Sequence, residues 1–159
     1  MKLPVSGRAL ANVARGILIV IGVSPFLPLL LEPIPVLRSL GHAFEAWFAF
    51  QCHREPERSL HVFSHLMPVC SRCTGIYWGL GLGALVLRPR LGPWPLRIWV
   101  GFAALVMVLD VWTEVLGMRP DSTILRVLTG VLLAYPVGAA VVWAFRDLDE
   151  QGRSSSFRQ

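Results

Sequence analysis

The segment 124–145 reads ILRVLTGVLLAYPVGAAVVWAF, and its charge comes from Arg126 alone. A run of about 20 apolar residues matches the roughly 30 Å hydrocarbon layer of a bilayer, because an α-helix rises about 1.5 Å per residue. The segment 98–116 is a second run of this kind, with Asp110 and Glu114 toward its end. These two runs predict membrane-spanning helices.

The composition of the whole chain agrees with a membrane protein. Of 159 residues, 54% are hydrophobic and 16% are charged, and the mean hydropathy is +0.57, a balance that is wrong for an ordinary soluble domain. The 15 Lys and Arg residues outnumber the 10 Asp and Glu residues, but they stand singly at the ends of apolar runs, as membrane-edge anchors do. Because there is no basic patch with interleaved aromatic residues, we expect no binding to nucleic acid.

Two further apolar runs are interrupted or short. The run 13–31 contains Arg15, Pro25 and Pro28 and ends in large leucines rather than in the small residues of a signal cleavage site, so we interpret it as a membrane helix. The run 73–87 is the shortest. We therefore predict four membrane-spanning helices, over 13–31, 73–87, 98–116 and 124–145.

The remaining segments are predicted to lie at or outside the membrane surface. In 36–50, apolar residues recur at helical spacing over about 15 residues, which is short for a span, so we expect an interfacial helix. The segment 146–159 is polar without an apolar period, and we expect disorder there. The predicted fold is all-α: one membrane domain over 1–145 with a helix bundle, the interfacial helix and a Cys/His-rich loop over 51–73.

Basic residues also predict the orientation of the bundle. With four spans, the amino terminus, the turn between the second and third spans and the tail share one side, where Lys and Arg outnumber those on the other side. Because positively charged loops tend to stay in the cytoplasm, we expect a multi-pass protein of the inner (cytoplasmic) membrane. Both termini would then lie in the cytoplasm and the Cys/His-rich loop outside it.

All three cysteines of the chain lie in the Cys/His-rich loop. Cys70 and Cys73 form a C-x-x-C pair, a spacing that lets two thiolates bind one tetrahedral metal ion. Cys52 and His53 lie upstream, and His65 lies between the two groups. The three cysteines with either histidine supply four ligands, and sulfur with imidazole favours zinc over an iron–sulfur cluster, which normally takes four cysteines.

Other interpretations of the cysteines stay open. Cys70 and Cys73 could form a disulfide or a catalytic redox pair, as in a membrane thiol-disulfide oxidoreductase, which leaves Cys52 unpaired. The chain could also be a non-catalytic metal-handling or assembly protein. Our main hypothesis is a metal-dependent membrane enzyme that acts on a small molecule or a lipid, with the metal activating water or polarising a carbonyl or phosphate.

Carboxylates near the end of the run 98–116 predict a polar pocket beneath the loop. Asp110 lies about two turns inside the apolar run, where an unpaired charge is costly, and Glu114 follows on the same helix face. Helical hairpins bring this end to the side of the cysteines, so both are candidate acid–base catalysts, while a structural Asp110–Arg126 ion pair remains an equal alternative. The basic residues predicted to bind a cofactor or substrate here are Arg58, Arg72, Arg119 and Arg126.

Three short sequence motifs resemble those of a known family. They are CHREPERS at 52–59, MPVCSRCTGIYWG at 67–79 and LDVWTEVLGMRPDSTILRVLTG at 109–130. Together they resemble an uncharacterised family of small bacterial and archaeal membrane proteins, domain of unknown function 2085. The resemblance implies that the cysteine loop and the region around Asp110 occur together in members of the family, and it implies no activity.

Overall fold

The computed structural model of the chain describes residues 7–52, 55–62, 65–86, 92–118, 120 and 122–156, with 148–156 described by their backbone alone. The described part is mostly helical, with one small sheet. The helices are α1 (Gly7–Val23), α2 (Leu27–Leu31), α3 (Arg38–Gln51), α4 (Ser71–Leu85), α5 (Pro93–Val115) and α6 (Thr123–Ser156); the strands are β1 (Ser59–Val62) and β2 (His65–Cys70); short 3-10 turns cover Ser24–Phe26 and Pro56–Arg58.

The helical membrane bundle predicted from the sequence is confirmed, but the count of four spans is not. Helix α4 has 15 residues and is therefore only about 22 Å long, which is shorter than a typical hydrocarbon layer of about 30 Å. Among the described residues, three helical stretches are long and apolar enough to cross a membrane: Gly7–Leu31, Pro93–Val115 and Thr123–Asp147.

Helix α4 packs against both α1 and α6, and these two helices also contact each other. A Cβ atom added at Gly75 would lie 2.2 Å from the carbonyl oxygen of Val127, and one added at Gly83 would lie 2.0 Å from that of Tyr135. Glycine at both positions therefore lets the backbones of α4 and α6 touch. Such close approach is how helices associate in lipid, where apolar burial between helices gives little driving force.

Helix α1 covers the opposite side of α4 and binds its carboxyl-terminal end. A Cβ atom at Gly22 would lie 2.8 Å from the Cα of Gly81, so these two helices also meet at glycine. The Nε of Arg15 donates a hydrogen bond of 2.9 Å to the carbonyl oxygen of Ala84. Because the last carbonyl groups of a helix have no partner within the helix, Arg15 stabilises the end of α4 inside the bundle.

The Cys/His-rich loop contains a β-hairpin that the all-α prediction omitted. Strands β1 and β2 pair antiparallel, with Ser59 opposite Cys70 and Val62 opposite His65. Met67 and Val69 of β2 are fully buried, because β2 packs against α2, α3 and α4. The hairpin thus covers one end of the bundle and delivers Cys70 to the start of α4.

The carboxyl-terminal segment 146–159, for which the sequence predicts disorder, begins as part of α6. The backbone of α6 continues without interruption to Ser156. The segment contains no proline that would stop a helix, so the long apolar helix that precedes it can propagate into polar sequence. Residues 157–159 lie outside the described part of the chain.

We predict that Gly83→Ala destabilises the protein more than Gly16→Ala. The added methyl group at position 83 meets the carbonyl oxygen of Tyr135, whereas one at position 16 has nothing within 4 Å. Overpacking of this kind costs about 1–3 kcal/mol, while an alanine at an open helical position is neutral or slightly stabilising. Thermal unfolding in detergent measures the difference; equal midpoints for the two variants would contradict direct backbone packing of α4 on α6.

Candidate metal centre and its cavity

Helix α3 positions the first cysteine. Its last turn is anchored on α4, since Phe48 is almost fully buried and packs edge-on against Tyr77 with ring centroids 5.7 Å apart. The hydroxyl of Tyr77 also donates a hydrogen bond to the side-chain oxygen of Gln51. Cys52 follows directly as the cap of α3, where the chain becomes extended, and so it lies beside the first turn of α4.

The other two cysteines lie at the junction of β2 and α4. Cys70 is the last residue of β2 and the N-cap of α4, and Cys73 lies in the first turn of that helix. Two hydroxyl groups hold the junction: Thr74 donates to the carbonyl oxygen of Cys70 at 3.1 Å, and Ser71 donates to that of Arg58 at 2.8 Å. The C-x-x-C pair therefore stands on a turn that leads into a helix, as the sequence predicted.

The three sulfur atoms form one group. The Sγ atoms of Cys52, Cys70 and Cys73 all lie within 4.8 Å of one another, and each residue is a partly buried free thiol. The backbone N–H of Cys70 donates to the Sγ of Cys52 at 3.2 Å. Hydrogen bonds, above all with Cys73, lower the pKa of Cys70 from 9.0 to about 5, while the interaction with Cys70 raises the pKa of Cys73. The pair therefore stabilises one thiolate, the form that binds metals.

A cavity of about 310 Å³ opens beside the sulfur atoms. Its wall combines soft sulfur ligands with strongly basic groups, and these come from α3, the loop, α4 and α6. Such a mixture of few convergent polar groups in a concave site is typical of a ligand-binding cavity. The lining residues are Gln51, Cys52, Glu55, Arg58, Cys70, Arg72, Cys73 and Arg126.

Two of the lining arginines form ion pairs with carboxylates of α5. An Nη of Arg72 donates to Asp110 at 2.7 Å and lies 3.6 Å from Glu114. Arg126 donates to Glu114 through both Nε, at 3.1 Å, and Nη2. Arg126 and Asp110 are only 2% and 6% exposed. Charges buried among membrane helices need such pairing, and the pairs tie α5 to α4 and α6.

The structure brings most of the predicted site residues together. The three cysteines share one cavity with Arg58, Arg72 and Arg126. In place of the predicted Asp110–Arg126 ion pair, Asp110 pairs with Arg72 and Arg126 pairs with Glu114. Neither carboxylate is among the residues that line the cavity, so both lie behind the arginines.

Of the two predicted histidine ligands, His65 does not join the group of sulfur atoms. The Nδ1 of His65 lies 3.3 Å from a carboxylate oxygen of Glu32, at the other end of β2 from Cys70. His53 lies outside the described residues, as does Arg119, which was predicted to bind a cofactor or substrate.

Sequence reasoning missed two lining residues, Gln51 and Glu55. Gln51 is fixed by Tyr77, and a carboxylate oxygen of Glu55 lies 2.9 Å from the Nε of Arg58. The contact of Gln51 depends on how α3 packs on α4, whereas Glu55 and Arg58 are three residues apart in the loop. The available hint was that both residues lie close to the Cys52-His53 pair in the sequence.

A family profile described as a predicted membrane protein, domain of unknown function 2085, matches residues 52–140. The chain belongs to this family. The match starts at Cys52 and includes the cysteine hairpin, α4, α5 and most of α6, so the family region contains nearly the whole site. Together with the three apolar helices, it makes the chain a multi-pass membrane protein.

Two archaeal relatives share this region. An uncharacterised protein of Methanothermobacter thermautotrophicus is 38% identical over 99 residues, which cover 60% of this chain and 86% of the relative. An uncharacterised protein of Methanocaldococcus jannaschii is 29% identical over 118 residues, which cover 72% of this chain and 76% of the relative. No solved structure matches the chain.

We predict that Asp110→Asn destabilises the protein strongly, because it leaves the mostly buried Arg72 with only the more distant Glu114. Breaking a buried ion pair by removing one partner costs on the order of 3 kcal/mol. The control is Glu45→Gln, which alters an exposed contact with His42 at 3.8 Å and should cost less than about 1 kcal/mol. Denaturant unfolding in detergent, followed by circular dichroism, compares the variants. A loss for Asp110→Asn no larger than that of the control would show that the pair does not hold α5.

Proposed function

We propose that this chain is a membrane metalloenzyme in which Cys52, Cys70 and Cys73 bind one zinc ion at the wall of the cavity. The observation that carries this proposal is the convergence of three thiols from three different elements at a concave site lined by arginines. Three free thiols within 4.8 Å of one another are more than a redox pair needs.

The spacing of the sulfur atoms suits zinc. In a tetrahedral site with Zn–S bonds of about 2.3 Å, sulfur atoms lie roughly 3.8 Å apart, which is inside the 4.8 Å limit found for the three thiols. Soft thiolate ligands favour zinc over magnesium, calcium or manganese. The hydrogen bonds that stabilise a thiolate at Cys70 support the same conclusion, because metal binding requires deprotonated cysteines.

The fourth ligand decides whether the metal centre is catalytic. Three protein ligands with an open position are typical of catalytic zinc, whereas four protein ligands are typical of a structural site. A zinc ion with an open position toward the cavity would supply Lewis acidity or activate water. In this proposal Asp110 and Glu114 orient the arginines of the cavity wall, and a role in proton transfer would require them to reach the cavity.

A thiol-disulfide oxidoreductase is the second candidate function. The hydrogen bond between Cys73 and Cys70 and the lowered pKa of Cys70 favour it, since a reactive C-x-x-C pair keeps one thiol as a thiolate. Cys52 argues for metal instead, because it contacts Cys70 directly through the N–H to Sγ hydrogen bond and a two-cysteine redox cycle has no use for it.

The proposal includes α4 as a short fourth crossing. The close contacts of Gly75 with Val127 and of Gly83 with Tyr135 make α4 and α6 parallel, and the carboxylates near the end of α5 meet Arg72 near the start of α4. This arrangement supports a change of sides between Ser71 and the start of α5. We place both termini in the cytoplasm of the inner membrane and the cysteine hairpin on the other side, from the distribution of basic residues.

We predict that the purified protein contains stoichiometric zinc and that Cys52→Ser, Cys70→Ser and Cys73→Ser each lose most of it. A serine hydroxyl is a much poorer zinc ligand than a thiolate. Metal content by mass spectrometry, together with a thiol count before and after chelation, makes the measurement. Absence of metal with a readily formed Cys70–Cys73 disulfide would overturn the metal proposal in favour of the oxidoreductase.

We further predict that His65→Ala keeps wild-type zinc, since His65 contacts Glu32 and not the cysteines. The matched variant His53→Ala separates the two kinds of metal site. Retained zinc in His53→Ala indicates three protein ligands and an open position, as the enzyme requires. Loss of zinc in His53→Ala but not in His65→Ala indicates a closed structural centre and would overturn the catalytic proposal while keeping the metal.

A further inference from the structure

The wall of the cavity carries an excess of positive charge. Among the described residues, three guanidinium groups line it, from Arg58, Arg72 and Arg126, against the carboxylate of Glu55 and the three cysteine side chains. The carboxylates of α5 that balance Arg72 and Arg126 lie behind them rather than on the wall. A ligand in the cavity therefore meets the arginines first.

Two of these arginines have donor capacity beyond their observed contacts. Each guanidinium carries five N–H donors. Among the described residues, the buried Nε of Arg72 has no hydrogen-bond partner, while its Nη2 is used by Asp110. Arg58 pairs with Glu55 through Nε and remains about half exposed. An acceptor with several oxygen atoms could use these donors together.

The amino-terminal end of α4 adds to the positive electrostatic potential in the cavity. Ser71, Arg72 and Cys73 form its first turn, and the side chain of the N-cap residue Cys70 makes no capping hydrogen bond. The first N–H groups of a helix have no intrahelical partners and carry a partial positive charge. Because Cys70, Arg72 and Cys73 line the cavity, this helix end faces it.

We propose that the cavity binds a phosphate group between Arg58, Arg72 and Arg126, next to the three sulfur atoms. Guanidinium groups from the loop, α4 and α6 can bind the oxygen atoms of a phosphate by paired, charge-assisted hydrogen bonds. The volume of about 310 Å³ leaves room for a further moiety attached to the phosphate. This inference rests on the proposed function, since it places the substrate's phosphate beside the metal.

The phosphate could belong to a soluble molecule or to a lipid headgroup, and calorimetric titration of the protein as purified in detergent distinguishes the two sources. One arm uses inorganic phosphate in a chloride buffer. The other compares short-chain phosphatidic acid with short-chain phosphatidylcholine, whose phosphate is a diester beside a quaternary amine. We expect binding in at least one arm, with phosphatidic acid preferred over phosphatidylcholine if the source is a lipid.

The decisive variant is Arg58→Gln, because Arg58 is half exposed and takes no part in the buried ion pairs of α5. Removal of a charged donor should weaken phosphate binding roughly tenfold or more. The control is Arg38→Gln, an exposed arginine of α3 that lies outside the cavity wall and donates to the carbonyl oxygen of Glu32 at 3.4 Å. It should bind like the wild type.

Zinc content measured on the same samples keeps the two proposals separate. Stoichiometric zinc without phosphate binding in either arm, or equal binding by Arg58→Gln and the wild type, overturns the phosphate site and leaves the metal centre standing. Phosphate binding that depends on Arg58 in protein without zinc overturns the metalloenzyme and supports the anion site. Zinc together with Arg58-dependent binding supports both.

Discussion

The direct contact between the backbones of α4 and α6 is the constraint on which the site depends. Glycines at 75 and 83 on α4, and at 130 and 138 on α6, each stand where a Cβ atom would lie less than 2.5 Å from a carbonyl oxygen of the other helix. Gly130 faces the carbonyl oxygen of Arg72 itself. The closeness of these helices brings Cys73 and Arg72 on one together with Arg126 on the other, so a packing feature determines the chemistry of the cavity wall.

The ion pairs of α5 are a second constraint on the site, and this constraint is electrostatic. Two arginines and two carboxylates meet near one end of the bundle, and their formal charges cancel. Outside this group, α5 exposes large side chains such as Trp94, Phe102 and Trp112, as expected of a helix that faces lipid. Helix α5 is thus attached to the bundle partly by charge, which also fixes the side chains of Arg72 and Arg126 against the cavity.

The parts of this structure that could be predicted from the sequence are those that a local pattern specifies. The long apolar runs at 98–116 and 124–145 identify two spanning helices, since bilayer thickness sets their length. The C-x-x-C spacing identifies the pair at the start of α4, and the Cys52-His53 dipeptide upstream in the same loop identifies the third cysteine. The hairpin was missed because strands of four and six residues, one of them containing Pro68, carry little signal without their packing partners.

The remaining features depend on which helix lies next to which. The partner of Asp110 could not be chosen from sequence, because Arg72 and Arg126 are equally plausible until the positions of α4 and α6 relative to α5 are known. The separation of His65 from the cysteines follows from the strand conformation of β2, which places its two ends far apart. A short apolar run such as 73–87 likewise gives no information on whether its helix reaches both faces of a bilayer.

The distribution of the cavity residues along the chain has a consequence for biosynthesis. The wall begins at Gln51 and is completed by Arg126 near the start of the last helix. During translation the three thiols therefore emerge from the ribosome well before the arginine and the final helix that enclose them. A nascent chain arrested before α6 has all three thiols but lacks Arg126 and the helix that packs on α4, so the cavity wall is complete only after the last helix has been inserted.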